Sequence, residues 1–306
     1  MKQIFICLSI IICFFCMLIF PDTVFTGASN GLLLWFNTVL PTLLPFLIIS
    51  GLLTSTYAIH LLAKFTFPLF HYLFGVSKYG SFAVLCGFLC GYPMGAKVTA
   101  DLLLDNKITD SEAKYLLSFC NNTSPMFIIS YVMHQNLNAP HLIFTALFIL
   151  FLSPFLCSLI FRHFYHFPTT DLALNTESFN SSTTLIDKCI MKSFETITKI
   201  GGYIILFSIL VNFLSSVITH NTFLPILFLS FLEITTGVSI ISQCAIPFYG
   251  KFICTMALIS FGGWCSIMQT QCLIADTKLP VFPYIIEKLI TTLVTSLLAY
   301  CITIIY

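Results

Sequence analysis

Ser118-Phe-Cys-Asn-Asn-Thr-Ser-Pro125 sits in the middle of the apolar stretch 111–134. Amides, hydroxyls and a proline at that depth leave backbone groups without helical partners. Lipid does not tolerate this; burial inside protein or beside a water-filled cavity does. The flanks are polar at both ends, with Asp110, Glu112 and Lys114 before and Gln135, Asn136 and Asn138 after. Each arm is about ten residues, which at about 1.5 Å rise per residue reaches only the bilayer midplane. The pattern predicts a re-entrant hairpin with a polar tip. Residues 250–276 repeat it, with Lys251, an apolar arm, Phe261-Gly-Gly-Trp264 at the tip, a second arm, then Asp276 and Lys278.

Composition sets the solvent in which such hairpins stand. Hydrophobic residues make up 58% of the 306 and charged residues 8%, against roughly a quarter charged in soluble domains. A chain this poor in charge cannot cover a water-facing surface, and the lipid bilayer is its expected partner. A net charge of +1 with scattered lysines offers no face for nucleic acid. Most of the 13 cysteines lie in apolar runs, where they behave as small hydrophobes. Cys13-Phe-Phe-Cys16 lacks a second pair or a strand context, and no histidines pair at ligand spacing, so neither a metal site nor a cofactor is expected. Neither an H-E-x-x-H nor a P-loop motif is present, and the expectation is a protein that is not an enzyme.

Outward from the two hairpins, the apolar runs give an all-α polytopic membrane protein. Residues 1–30 hold an N-terminal transmembrane helix, whose apolar run ends at Pro21-Asp22 with no small-residue cleavage pattern after it. Further runs follow at 31–53, 59–75, 80–104 and 140–162. A polar linker, 163–187, separates these from runs at 188–215, 222–243 and 280–306. The prolines Pro41 and Pro45 predict a kink in 31–53.

Sliding the chain against itself relates the halves. At an offset of 142, Gly95 falls on Gly237, Leu116 on Leu258, Ser118 on Ser260, Phe119 on Phe261, Ser124 on Ser266 and Met126 on Met268. Each half, 31–162 and 188–306, then reads as a helix interrupted near glycine (Gly91-Tyr-Pro-Met-Gly95; Glu233-Ile-Thr-Thr-Gly237) followed by a hairpin. If 111–134 is re-entrant, two crossings separate the halves and the repeats are inverted, the common plan of secondary transporters.

Ionisable groups inside such segments are costly and are functional candidates by default. Lys97 follows the first break, beside helix N–H groups suited to a carboxylate or phosphate. Asp101 stands one turn on, so the two can also neutralise each other. Glu233 opens the second break and suits a proton, a sodium ion or a donor on a solute; a salt bridge to Lys97 is the alternative. Asn121, Asn122, Thr123 and Ser124 at the first tip, Gly262 and Gly263 at the second, and Gln269 beyond it complete the candidate site. With Gly91, Tyr92, Gly95, Thr235 and Thr236 they form a polar lining for a small-molecule substrate.

These motifs are familiar. Gly91-Tyr-Pro-Met-Gly-Ala-Lys97, Cys120-Asn-Asn-Thr-Ser-Pro125, Leu232-Glu-Ile-Thr-Thr-Gly237 and Ser260-Phe-Gly-Gly263 with Gln269 resemble the sporulation integral membrane proteins of the YlbJ/SpoVV type. That group carries the nucleoside-recognition (Gate) domain and is distantly similar to concentrative nucleoside transporters. The resemblance implies two Gate-like repeats and a place in the bacterial cell membrane or the forespore outer membrane. It also implies movement of dipicolinic acid during sporulation. A nucleoside transporter and a non-transporting scaffold for spore assembly are the alternatives. A proton or sodium ion would couple transport, and a homo-oligomer is a further expected partnership. The sequence departs from the group at Trp264, Cys265 and Ile267, where a smaller apolar residue, a serine and a histidine are expected.

Overall fold

The apolar runs fold as helices, and no strand occurs among the described residues, which in this computed structural model are 2–167, 182–217 and 223–305. Helix α1 spans Lys2–Ile19. Helix α2 (Pro21–Leu34) passes through a π-helical turn, Trp35–Val39, into α3 (Leu40–Thr54), giving one 34-residue apolar run. Helix α4 (Ala58–Phe74) ends on Gly75, whose φ of 68° makes a left-handed C-cap, and the chain turns by 84° into α5 (Lys78–Leu89). Then come α6 (Met94–Leu104), α7 (Asp110–Cys120), a π-helix at Phe127–Asn136, and α8 (Ile143–Phe161). Beyond the linker, of which 168–181 lie outside the described residues, stand α9 (Ser182–Val217), α10 (Phe223–Ser230) and α11 (Ile234–Gln243). Helices α12 (Phe248–Phe261), α13 (Gly263–Leu273) and α14 (Val281–Ile305) complete the chain.

Among the described residues, five runs are long and apolar enough to cross a bilayer, six if α4 and α5 form one bent span. Their outer faces are aromatic and aliphatic, Phe65 at 84% and Phe144 at 85% exposure, a surface that lipid solvates and water does not. Polar side chains turn inward instead: Ser118, Asn121, Thr270 and Thr295 are all fully buried. The protein is an integral membrane protein built of helices.

Local sequence explains the helix ends. Ser77 caps α5 by accepting from Gly80 N at 3.1 Å, and Thr109 caps α7 by accepting from Glu112 N at 3.2 Å. Helices α2 and α9 pack through glycines, since a Cβ at Gly27 or Gly31 would stand 2.8 Å from the Cα of Ile209 or Ile205. Gly27-Ala-Ser-Asn-Gly31 spells G-x-S-x-G, but it lies inside a helix and serves this close approach, not a strand-to-helix elbow.

The breaks expected near Gly91, Asn121, Glu233 and Gly262 are present, but the chain uses them differently. The interruption in 80–104 is the turn Cys90–Pro93, across which α5 and α6 pack on each other. Residues 222–243 do not form one span: Phe231–Glu233 interrupt them, and α10 and α11 pack on each other likewise. Gly95 and Gly237 lie inside helices, each held against a backbone carbonyl oxygen (Cys120 O and Ser230 O). Conversely, 250–276 is not a hairpin. It runs as one 26-residue stretch, Phe248–Leu273, broken at Gly262, and α12 and α13 make no extended contact with each other. The arms on either side of Asn121–Ser124 also lack hairpin packing. The physical reason is that neighbouring segments satisfy the broken backbone. Trp264 N and Cys265 N donate to Phe231 O and Leu232 O, each at 2.9 Å, so α13 starts without a reversal of the chain.

Candidate functional site

The breaks converge. A cavity of about 470 Å³ lies between them, walled by the Cys90–Pro93 turn, Asn121–Ser124, the Phe231–Glu233 break and Gly262, with α3, the π-helix and α9 closing the sides. Of the residues expected to bind, Gly91, Tyr92, Thr123, Ser124, Glu233, Thr235, Gly262 and Gln269 line it. Gly95, Lys97, Asn121, Asn122, Thr236 and Gly263 do not.

Glu233 is 3% exposed and sits at the N-cap of α11. One carboxylate oxygen accepts from Thr235 N at 3.1 Å; the other accepts from Thr236 N at 2.8 Å and from the hydroxyls of Thr235 and Thr236 at 2.5 and 2.9 Å. Helix N–H groups and the N-terminal dipole therefore hold the negative charge in place. Among the described residues no cation lies within ion-pair distance of it, so the alternative salt bridge to Lys97 does not form. Glu233 is also the one charged side chain among the described residues lining the cavity.

Lys97 is a correction. It pairs with Asp101 on its own helix, Asp101 also takes Lys192 of α9 at 3.0 Å, and the three line a separate small pocket of about 40 Å³. Spacing of four residues on one helix face brings the opposite charges together. Nor are the N–H groups at the start of α6 free for an anion. Met94 N donates to Gly91 O at 2.8 Å, Lys97 N to Pro93 O at 3.0 Å, and Ala96 N to Asn121 Oδ1 at 3.4 Å.

The amide tip is a second correction. Asn121 Nδ2 donates to Thr270 Oγ1 at 3.0 Å and to the Tyr284 hydroxyl at 2.8 Å, which uses up its donors inside the protein. Asn122 donates to Phe119 O at 2.7 Å. Thr123 donates to Ile259 O at 2.5 Å, tying the first-half break to α12 while its residue still borders the cavity. Thr236 serves Glu233, and a Cβ at Gly263 would stand 3.3 Å from Leu232 O and Ile234 N. Trp264, at the second tip, is 42% exposed and packs edge-on to Phe261 outside the lining.

Across 88% of its length, and 75% of the other chain's, this protein is 28% identical to the sporulation integral membrane protein YlbJ of Bacillus subtilis (strain 168). It is similar to the YlbJ type of membrane protein. No protein-family description and no solved structure matches the chain.

Several residues in or beside the cavity escape sequence reasoning. Tyr131 lines the cavity and donates to Thr235 O at 3.0 Å; Thr38 of the π-helical turn stands at its wall, as do Pro41 and Pro45 of α3, where a plain kink is expected. Lys288 is 1% exposed, beside Tyr92 and Asn122. Its signal is visible in Ile286-Glu-Lys-Leu289, a charged pair inside an apolar run.

Proposed function

We propose that this YlbJ-like chain is a carrier that moves a small, flat, polar solute across a membrane during sporulation. The observation that carries this reading is Glu233, a carboxylate without a counter-ion among the described residues, at the wall of a cavity of about 470 Å³ bordered by broken helices from both halves of an integral membrane protein. That volume lies in the range of small-ligand pockets. Interrupted helices around a membrane-buried cavity are the usual setting of carrier sites. On this reading residues 31–162 and 188–306 are two Gate-like units. Gly91 and Glu233, partners at the offset of 142, both lie in breaks, in support of that pairing. Tyr92, Phe127 and Tyr131 supply aromatic faces, and Gln269, Ser124 and Thr235 supply hydrogen bonds.

Dipicolinate, which the motif resemblance implies for the forespore outer membrane, is the first solute to test, and the comparison with a sporulation membrane protein supports a sporulation setting. A dianion meets the Glu233 charge, so it enters with a compensating cation. A nucleoside is the second reading. The single negative lining charge and the Gln269 amide suit a neutral solute rich in donors. Uptake of labelled dipicolinate and labelled uridine into proteoliposomes, with and without a proton or sodium gradient, separates the two. Uptake of either solute that Glu233→Gln and Tyr92→Ala abolish supports a carrier. A protein whose variants insert normally, move neither solute and still sustain full dipicolinate accumulation in spores is a scaffold.

A further inference from the structure

Lys288 has no part in the reading above, yet its surroundings are built. Its Nζ lies 3.2 Å from Asn122 Oδ1, 3.3 Å from Ser260 O and 4.8 Å from the centroid of the Tyr92 ring. A lysine ammonium carries three N–H donors and no acceptor. The three neighbours are an amide oxygen, a carbonyl oxygen and the face of an aromatic ring, each of which attracts a cation. A neutral amine would turn a lone pair toward one of them. Among the described residues no carboxylate lies within ion-pair distance, and the adjacent Glu287 accepts from Tyr165 instead. A buried charge without a counter-ion is held by oriented dipoles or not held at all.

The sources of those dipoles matter as much as their chemistry. Asn122 belongs to the break after α7; Ser260 is in the last turn of α12, ahead of the break at Gly262; Tyr92 belongs to the turn between α5 and α6. The Tyr92 hydroxyl donates to the same Ser260 carbonyl at 2.7 Å. One long side chain from the unbroken α14 thus reaches the point where three interruptions meet.

We propose that Lys288 is a tethered cation filling a monovalent-cation site made by the three breaks, and that a free monovalent cation occupies the site once the lysine is removed. Because this charge is covalently part of α14, it stays with the protein and is not carried across with a solute. It acts as a positioning residue, pinning the tip of one half to the break of the other.

The test is thermal unfolding of detergent-purified full chain in sodium, potassium, ammonium or choline chloride at equal ionic strength. Wild type is expected to respond to all four salts alike. Lys288→Ala is expected to unfold at lower temperature and to recover saturably in sodium, potassium or ammonium but not in choline. Lys288→Met, which fills the space without charge, is expected to fall without recovery, while Lys288→Arg stays nearer to wild type than Lys288→Met. A Lys288→Ala variant as stable as wild type, or one that responds equally to all four salts, overturns the proposal. If Lys288→Ala yields no folded protein, Lys288→Arg against Lys288→Met decides. The variant that keeps the charge is expected to unfold at the higher temperature, and the reverse order overturns the proposal. No solute enters this experiment, so its outcome is separate from that of the uptake measurement.

Discussion

Glu233, Lys97 and Lys288 are all ionisable groups within apolar stretches, and they have three different fates. Glu233 ends a break, and four hydrogen bonds from Thr235 and Thr236 fix its carboxylate at the cavity wall. Removing that cap in Glu233→Ala is expected to cost about 0.5–2 kcal/mol, read as a lower unfolding midpoint, together with loss of solute uptake. Lys97 is spent on Asp101. Lys97→Ala leaves Asp101 with Lys192, and uptake in proteoliposomes is expected to stay at the wild-type level; a loss comparable to that of Glu233→Ala would return Lys97 to the site. Intramembrane charge is visible in a sequence, but its partner is not. An i, i+4 neighbour warns of the Lys97 pair, whereas nothing local announces that Asn122 and Ser260 meet Lys288, each far from it along the chain.

The same limit holds for the helices. Asn, Gly and Pro mark where helical hydrogen bonding stops, and the turn at Cys90–Pro93, the tip at Asn121–Ser124 and the break at Gly262 fall where those residues predict. They carry no information on the direction in which the chain leaves. That direction depends on which other backbone fills the gap, and here Phe231 O and Leu232 O fill the gap at Trp264 and Cys265. Close approach of backbones makes the breaks sensitive to single methyl groups. A Cβ on Gly87 would stand 1.7 Å from Cys120 O, so Gly87→Ala is expected to abolish folded yield in a detergent-solubilised expression assay. Gly202, in α9, has nothing within 4 Å of its Cβ position. Gly202→Ala is expected to raise stability by about 0.5–1 kcal/mol through helix propensity, seen as a higher unfolding midpoint.

The cavity belongs to no single segment. Its wall draws on α3, two turns, the π-helix, α9 and α13, so its contents follow only from their assembly. Cys90 lines it and is partly exposed, while Cys157 is fully buried. A single-cysteine variant retaining Cys90 is expected to react with a small hydrophilic thiosulfonate, and the transported solute is expected to slow that reaction. A variant retaining only Cys157 is expected not to react; equal labelling of both would show that the cavity is not the accessible space.

Composition and apolar run length by themselves determined that this chain is a helical membrane protein, because charge at 8% of residues leaves no alternative solvent. The placement of polar residues determined where its helices break. Tertiary structure alone decided which of those residues face a cavity and which satisfy one another. Hydrogen bonds in a low-dielectric interior go to whichever partner the fold brings within about 3 Å, and for Asn121, Thr123 and Lys288 that partner is a distant part of the chain.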